Sequence, residues 1–311
     1  MCGEIETADI GIPPAFFPEN MAGLVESADV AEALPARRRN GHKGHGGHLL
    51  VVAGAVGMAG AAVMCTLSAL RSGTGLVTVA CPESILPIVQ TLAPGAMAVP
   101  LKETDGAIDA RAVDALTEAL AGQHAVALGC GLSRRAAPEV VRLILECGLP
   151  AVVDADALNL IAADASLKGL LRPHHLITPH PGEAARLIGA MKGNPLDDAV
   201  SLKVLGCEAL LKGATTVIPV GEGAWLSASG CRGMAKGGSG DVLTGLAGSL
   251  MAQYAAAGTA MTGEALARCA AVASEIHGHA GELAQELLGD RGMCATDIID
   301  ALPAAFMDYA Q

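Results

Sequence analysis

Residues 49–70 read LLVVAGAVGMAGAAVMCTLSAL, and this stretch decides between two kinds of fold. It contains no charged side chain and is long enough to span a lipid bilayer as one helix. However, residues 49–52 form a short apolar block typical of a buried strand, and glycines then interrupt the run at positions 54, 57 and 60. The stretch therefore predicts a strand, a turn and a helix at 61–70, and we expect no membrane span.

The same alternation continues downstream. Short apolar runs, typical of strands covered on both faces, predict strands at 48–53, 76–81, 96–100, 125–129, 151–154, 176–179, 215–220 and 224–228. Apolar residues at helical spacing predict helices at 61–72, 82–92, 109–122, 137–147, 182–190, 197–211, 240–253, 262–289 and 296–307. Together they predict an α/β fold with a doubly wound, mostly parallel central sheet.

The first 40 residues differ from the rest of the chain. They contain prolines at 13, 14, 18 and 35, and arginines occupy 37–39. Proline clusters and runs of one charge are typical of linkers. We therefore predict a leader or linker at 1–40 and one domain at 41–311.

The composition limits the classes of partner. The formal net charge is −12 at pH 7 and aromatic residues make up 2% of the chain, so a nucleic-acid partner is not expected. Acidity does not exclude a phosphorylated small molecule, because backbone N–H groups at helix starts bind phosphate. The nine cysteines include no Cys-x-x-Cys pair, and no signal-peptide pattern is visible near the start. Both observations favour reduced thiols in the cytoplasm.

The strongest candidate site is the stretch GMAKGGSGDVLTG at residues 233–245, where a helix is predicted to begin. Glycines let the backbone turn its N–H groups inward, and the helix dipole adds positive potential there. The predicted anion hole consists of Gly237, Gly238, Ser239 and Gly240. Asp241 beside it is placed to deprotonate a hydroxyl that attacks a phosphoryl group, which makes it the predicted catalytic residue. The alternative is that Asp241 serves only as a helix N-cap.

Two further motifs lie where strands and helices meet. The stretch KGATT at 212–216 presents one cation and several N–H groups to a phosphate, although a lysine that only complements a helix dipole is an equal explanation. His180 lies in TPHPGE at 178–183, after a predicted strand, where open α/β sheets bind ligands. The alternative for His180 is a side chain bonded to local backbone.

Weaker patterns leave alternatives open. Asp154 and Asp156 follow a predicted strand, where they would hold Mg²⁺ through water or cap the next helix. The histidines at 42, 45 and 48 have regular spacing, but no cysteine or carboxylate lies at ligand spacing nearby, so no metal site built from side chains is predicted. Glycines 54, 57 and 60 lack the Gly-x-Gly start of a dinucleotide fingerprint and are read as a strand-to-helix turn.

In this order the motifs resemble the NAD(P)H-hydrate dehydratases, over roughly residues 37–305. The resemblance rests on HKG at 42–44, GH at 47–48, GAA at 60–62, ALRSG at 69–73, GLV at 75–77, DADALN at 154–159, TPHPGE at 178–183, KGAT at 212–215, GGSGDVLTG at 237–245, HG at 277–278 and TDII at 296–299. Each motif alone is modest, but the ordered set is specific. In addition, DIGIP at 9–13 resembles the exit of the epimerase domain that precedes the dehydratase in bifunctional members.

The resemblance implies a ribokinase-like three-layer sandwich and repair of NADHX and NADPHX, the hydrated forms of reduced nicotinamide cofactors. It implies that ADP, with Mg²⁺, phosphorylates the ring hydroxyl and that phosphate is then lost, leaving AMP and phosphate. Residues at hydrate-binding positions of the family are Ala61, Gly131, His180 and Asp241. Residues at its nucleotide-binding positions are Lys212, Gly213, Ala214, Thr215, Thr216 and Gly240. A homo-oligomer, a tetramer in the family, and an epimerase acting on the same pool are also implied.

Two other functions are compatible with the motifs. A ribokinase-like kinase for a small alcohol would share Asp241 and the anion hole but would release a stable phosphate ester. A nucleotide-binding regulatory protein would have no turnover and no need for the base. The order of the blocks around His180 and Lys212 favours the dehydratase.

Overall fold

The computed structural model describes residues 22–36, 41–189 and 191–309, together with Ala8, Gly11 and Pro13. The strands are, in chain order, β1 (Gly23–Leu24), β2 (His48–Val52), β3 (Leu76–Pro82), β4 (Met97–Leu101), β5 (Glu103–Thr104), β6 (Ala107–Ile108), β7 (Ala125–Leu128), β8 (Ala151–Val153), β9 (His175–Ile177), β10 (Glu208–Ala209), β11 (Thr216–Val220) and β12 (Gly223–Ser227).

The helices cover both sides of the sheet. They are, in chain order, α1 (Ser27–Ala33), α2 (Ala59–Arg71), α3 (Leu86–Leu92), α4 (Val113–Leu120), α5 (Pro138–Glu146), α6 (Ala155–Ala163), α7 (Ala165–Lys168), α8 (Pro181–Ile188), α9 (Pro195–Ser201), α10 (Ser239–Ala256), α11 (Gly263–Gly292) and α12 (Ala295–Tyr309).

Within the described residues the central sheet has the strand order β10-β9-β8-β7-β2-β3-β4, and all of its neighbouring pairs are parallel. The chain adds strands on one side of β2 up to β4 and then crosses to the other side at β7. The loops after β2 and β7 consequently leave the sheet in different directions. The place between these two strands is the switch point, where ligands of open α/β sheets bind. A smaller sheet has the order β1-β12-β11, and its strand β11 contacts β10 at the edge of the main sheet.

Alternate residues of the central strands feed two separate cores. Leu49 and Val51 of β2 pack on one face in a cluster that includes buried residues of α2, α10, α11 and α12. Leu50 and Val52 pack on the other face, against α4, α5, α6 and α8. A strand buried on both faces reads as an unbroken apolar run, which is why residues 49–52 carry no polar position. The predicted three-layer α/β fold with a mostly parallel sheet is confirmed.

One predicted helix boundary is wrong, and one helix was not predicted. The predicted helix at 197–211 ends at Ser201, a short 3-10 turn follows, and Glu208–Ala209 is strand β10, paired in parallel with β9. The apolar residues near 210 therefore belong to the edge of the sheet. Helix α6 was not predicted as a helix, because its Asp-Ala-Asp start was assigned to a possible site.

Part of the predicted leader belongs to the packed domain. Gly23 and Leu24 pair with Trp225 and Leu226 of β12, and Val30 of α1 is fully buried in the core. The boundary predicted at residue 40 is therefore too late for this segment, since its apolar side chains are covered by α11 and α12. The arginines at 37–39, and most of the stretch that resembles an epimerase exit, lie outside the described residues.

The apolar stretch 49–70 forms β2, a glycine turn and α2, as predicted. Among the residues described, no helix is long and apolar enough to cross a membrane.

We expect Gly245→Ala to destabilise the fold. Gly245 lies where α10 packs on α2, and an added Cβ would lie 2.9 Å from the Ser68 Cβ and overlap the Cys65 carbonyl. Because that obstacle is backbone, the helices must separate, at a cost of about 1–3 kcal/mol of unfolding free energy. The measurement is urea unfolding. Gly60→Ala is the control, since its added Cβ would meet nothing within 4 Å; equal stability of both variants would contradict the expectation.

Candidate active site

The loops at the carboxyl edge of the central strands meet the beginning of α10. The loops that follow β2, β7, β8, β9 and β10 all begin at this edge, because the strands are parallel. Helix α10 packs across β2, β7 and β8 and brings its first turn to the same place. The sequence motifs on these five loops and on α10 therefore converge on one site.

The beginning of α10 has no side-chain cap, as the predicted anion hole requires. Gly238 is its N-cap, with φ of 99°, and no side chain caps the helix among the described residues. An added Cβ at Gly238 would lie 2.6 Å from the Met64 sulfur and 2.8 Å from the Ala295 Cβ, so only glycine fits. The uncapped N–H groups of the first turn leave donors for an anion. The interpretation of Asp241 as the N-cap is wrong, because it lies three residues further on.

Asp241 is a partly buried carboxyl in this first turn. Burial raises the pKa of Asp241 to about 6, and the negative charge of Asp154 adds to the shift while the Lys212 ammonium opposes it. A carboxylate with a pKa near 6 is ionised at neutral pH and is more basic than an exposed aspartate. This arrangement can accept a proton from a bound hydroxyl.

Asp154 lies immediately after β8 and holds the two halves of the site together. It is 1% exposed, and its Oδ1 lies 2.7 Å from the Lys212 Nζ. Its Oδ2 accepts a hydrogen bond from the Thr244 hydroxyl at 2.8 Å. Burial lowers the pKa of Lys212, but the charges of Asp154 and Glu183 outweigh that effect and raise it above its ordinary value. Lys212 is therefore held as a cation beside α10.

The backbone around Asp154 is tightly constrained. The Ala155 N–H donates to the Asp154 Oδ1 at 2.8 Å, and Ala155 has φ of 53°, which is unusual for a residue with a Cβ. An added Cβ at Gly129, the residue after β7, would overlap the Asp154 carbonyl. Strain of this kind is concentrated at functional sites. Asp154 thus caps α6, one of the two predicted roles, and also forms an ion pair that the sequence did not indicate.

His180 begins α8 and is joined to its own helix. Its Nδ1 accepts from the Gly182 N–H at 3.0 Å, and its own N–H donates to Glu183 Oε2 at 2.9 Å. The side chain is 52% exposed. Because Nδ1 accepts a hydrogen bond, Nε2 carries the proton in the neutral ring. The bonding to local backbone considered as an alternative is therefore present, and it leaves the ring accessible to a ligand.

The turn at 212–216 and the loop that carries His180 are joined by a hydrogen bond. The Lys212 N–H donates to the Pro179 carbonyl at 2.9 Å, and the Lys212 Nζ lies 4.0 Å from Glu183 Oε2. Residues 213–215 are exposed in the turn before β11. An added Cβ at Gly240 would be 3.4 Å from the Lys212 Nζ, which places that ammonium beside the first turn of α10. The structure therefore brings the 212–216 stretch, Gly240 and Asp241 together.

Ala61 and Gly131 meet at the switch point between β2 and β7. Gly131 has φ of 59°, and its added Cβ would lie 2.8 Å from the Ala61 Cβ. The Gly54 N–H donates to the Cys130 carbonyl at 2.9 Å, which joins the loops that follow the two strands. Ala61 and Gly131 therefore lie against each other at the switch point, and a side chain at position 131 would collide with Ala61.

Two features of the site were not predicted. Thr244 is a buried hydroxyl on an apolar helix, and only the fold reveals its carboxylate partner. His277 of α11 places its Nε2 3.4 Å from the Ser239 hydroxyl, and burial lowers the pKa of His277 to about 4, so the ring is neutral beside the anion site. Both residues lie in motifs that carry the family resemblance, at 237–245 and 277–278, but the sequence did not indicate what either side chain contacts.

No zinc-like cluster forms from the histidines at 42, 45 and 48. The His42 Nδ1 accepts from the Gly44 N–H at 3.1 Å, and the His42 and His45 rings lie 3.8 Å apart. Across the described ranges, no group of three or more His, Cys, Asp or Glu side chains is arranged to hold a metal ion.

Comparison with known proteins gives a consistent result. Residues 49–304 match the family model described as NAD(P)H-hydrate dehydratase. The chain is 38% identical over 316 residues to the bifunctional NAD(P)H-hydrate repair enzyme Nnr of Moorella thermoacetica, covering 97% of this chain but only 58% of that enzyme. It is 30% identical to the ADP-dependent (S)-NAD(P)H-hydrate dehydratase of Cenarchaeum symbiosum, covering 93% of this chain and 98% of that enzyme.

Solved structures share the fold. The ADP/ATP-dependent NAD(P)H-hydrate dehydratase of Bacillus subtilis, co-crystallised with ATP and Mg²⁺, has a TM-score of 0.74 and 26% identity, covering 93% of this chain and 99% of that one. A ribokinase-like superfamily protein of Enterococcus faecalis has a TM-score of 0.78 at 22% identity, covering 95% and 99% of the two chains, and it supports the fold alone.

We expect Thr244→Val to destabilise the protein more than Thr66→Val does. Both threonines are buried in helices, with the hydroxyl within hydrogen-bond distance of the carbonyl four residues earlier, but only the Thr244 hydroxyl also reaches a carboxylate. Loss of a hydrogen bond to a charged group costs about 1.5–3 kcal/mol, more than loss of a neutral one. Urea unfolding of the two variants measures the difference, and equal costs would show that the Asp154 contact contributes nothing.

Proposed function

The chain belongs to the NAD(P)H-hydrate dehydratase family, and from that membership we propose that it uses ADP to convert (6S)-NADHX and NADPHX to NADH and NADPH. The reaction class is that of a hydro-lyase, the class of its named relatives. The observation that carries the proposal is the juxtaposition of Asp241, with its pKa near 6, and the uncapped glycine-rich start of α10.

Asp241 would accept the proton of the hydroxyl on the hydrated nicotinamide ring. The hydroxyl oxygen would then attack the β-phosphorus of ADP, and the bond to the bridging oxygen would break to release AMP. N–H groups at 237–240 would hold the transferring phosphoryl group, with Lys212 supplying a positive charge beside them. The phosphate ester would finally lose phosphate with its C–O electron pair, and a proton would leave the neighbouring ring carbon to restore the double bond.

The residues of the site fit Mg²⁺ that arrives with the nucleotide. Asp154 and Asp156 both raise the pKa of Asp241, so the site holds more negative charge than Lys212 balances, a surplus that a cation would relieve. Mg²⁺ is bound through one or two carboxylates, water and substrate phosphates rather than by a complete protein cage. Asp154 and Asp156 would hold it through water, and the ion would neutralise charge on the transferring phosphate.

Several properties of the relatives extend the proposal. The chain spans 58% of the length of the bifunctional Moorella enzyme, and we propose that an epimerase acts on the same pool of hydrates. A cytoplasmic location and a homo-oligomer, with a tetramer as the expected form, are parts of the same proposal. Sedimentation velocity of the purified chain would measure the assembly directly.

The decisive experiment is to add the protein to purified NADHX with Mg²⁺ and to follow the near-ultraviolet absorbance of reduced nicotinamide. We expect the absorbance to rise with ADP and to stay constant without nucleotide, because the hydroxyl is a poor leaving group until it is phosphorylated. A parallel reaction with ATP tests the choice of nucleotide. A stable phosphate ester with no rise in absorbance would instead identify a kinase, and no reaction in protein that binds ADP would refute both activities.

We expect Asp241→Asn to abolish turnover and to leave ADP binding nearly unchanged. The amide cannot accept the proton, whereas the N–H groups at the start of α10 are unaltered. Turnover should fall by about 10²–10⁴, the usual contribution of a general base. Asp114→Asn is the control, because Asp114 occupies the first turn of α4, away from the site. Equal losses of ADP affinity and turnover would argue against Asp241 as the base.

The pH dependence of kcat/KM should follow the ionisation of Asp241. Its pKa is raised to about 6, so the required carboxylate is present above pH 6 and is lost as the pH falls through that value. The value of kcat/KM should therefore be flat near neutrality and decline by about tenfold per pH unit below 6. ADP affinity over the same range serves as the control. Activity that persisted unchanged well below pH 6 would exclude this carboxyl as the base.

A further inference from the structure

A small pocket adjoins the site on the helix layer formed by α6 and α8. It lies beside the loop that follows β7 and has a volume of about 310 Å³. The residues lining this arginine pocket are Arg134, Asn159, Leu160, Ala162, Ala163 and Arg186. Nothing in the mechanism proposed above uses any of them.

The arginine pocket has a charge opposite to that of the protein. Two guanidinium groups line it and no carboxylate does, although the chain as a whole carries a formal charge of −12. Within the described part of the chain, the Arg134 guanidinium makes no hydrogen bond or ion pair. Its five N–H donors are therefore available to an anion.

Arg186 is held in place by a chain of polar contacts. Its Nε donates to the Asn159 Oδ1 at 2.9 Å, and the Asn159 amide approaches the Asp156 Oδ1 at 3.4 Å. The Asp156 Oδ2 accepts from the Ser133 N–H at 2.9 Å, in the loop that also carries Arg134. The Nε contact leaves both terminal nitrogens of Arg186 for a ligand, and the contacts fix the group before a ligand arrives.

The Arg186 side of the arginine pocket lies close to His180 of the active site. A Cβ built on Gly182 would lie 3.2 Å from the His180 Nδ1 and 3.8 Å from the Arg186 Nη1. Asp156, which anchors Asn159, also raises the pKa of Asp241. The Arg186 guanidinium is therefore within reach of a ligand that contacts His180.

We propose that the arginine pocket binds a phosphate group of the hydrated dinucleotide. This inference rests on the proposed function, which places the hydrated ring at Asp241 and His180. A guanidinium fork matches two phosphate oxygens, and two such groups around one cavity select an anion over a neutral group. The hydrate offers two sources of that chemistry: the pyrophosphate present in NADHX and NADPHX, and the 2′-phosphate present in NADPHX alone.

The test compares steady-state kinetics of Arg134→Gln, Arg186→Gln and the double variant on both hydrates. Arg135→Gln is the matched control, since Arg135 is the exposed neighbour of Arg134 but does not line the pocket. We expect KM for the hydrate to rise about tenfold in each single variant, as for loss of one hydrogen bond to a charged group, with kcat and the KM for ADP unchanged. A rise confined to NADPHX identifies the 2′-phosphate, and an equal rise for both hydrates identifies the pyrophosphate.

A second readout separates this inference from the proposed function. The reaction products NADPH and NADH are fluorescent, so their dissociation constants can be measured without turnover. Weaker binding in the arginine variants than in Arg135→Gln would support the pocket even if the wild-type protein dehydrated neither hydrate. Unchanged KM and dissociation constants in the double variant, or a rise in the KM for ADP instead, would overturn the inference while leaving the dehydratase activity in place.

Discussion

The buried carboxylate of Asp154 is the interaction on which the rest of the site depends. It lies at the end of β8, accepts from Thr244 of α10, and forms an ion pair with Lys212 after β10. Three elements that are distant in sequence are therefore fixed by one side chain. An ionised group with 1% exposure is stable only when its charge is balanced and its oxygens are bonded, so each partner constrains the others. Removal of one partner would leave a buried charge, which costs more than the pair itself contributes.

Burial, with the charge of Asp154 adding to it, raises the pKa of Asp241 and would make it a stronger base at some cost in stability. Asp241 has a folded-state pKa of about 6, above the ordinary value of 3.8, so the folded protein binds this proton more tightly than the unfolded chain does. Ionisation as the pH rises through 6 therefore removes stability, and at neutral pH the active form is the less stable one. The site tolerates this because Lys212 is held beside Asp154 and the uncapped start of α10 supplies positive potential. A residue selected only for stability would not be an aspartate at this position.

Much of the fold and of the site could be predicted from the sequence, because glycines and apolar runs report local geometry directly. Residues 49–52 must be buried on both faces, and Gly238 adopts a positive φ in a position with no room for a Cβ. The contact of Thr244 with Asp154 could not be found this way, since it depends on β8 lying beside α10. The same limit explains the wrong helix at 208–209, where an apolar pattern fits an edge strand equally well, and the late domain boundary, since residues 23–33 are packed only because β12 and α11 cover them.

The order of the strands explains why two ligands can meet here. The loops after β2 and β7 leave the sheet in different directions at the switch point, where Ala61 and Gly131 lie against each other. The loops after β9 and β10 lie farther along the same edge and carry His180 and the 212–216 turn. Helix α10 packs over β2, β7 and β8, so its first turn reaches between these two regions. An acceptor alcohol at the switch point and a phosphoryl donor near Lys212 would therefore both lie beside Asp241, as the proposed transfer requires.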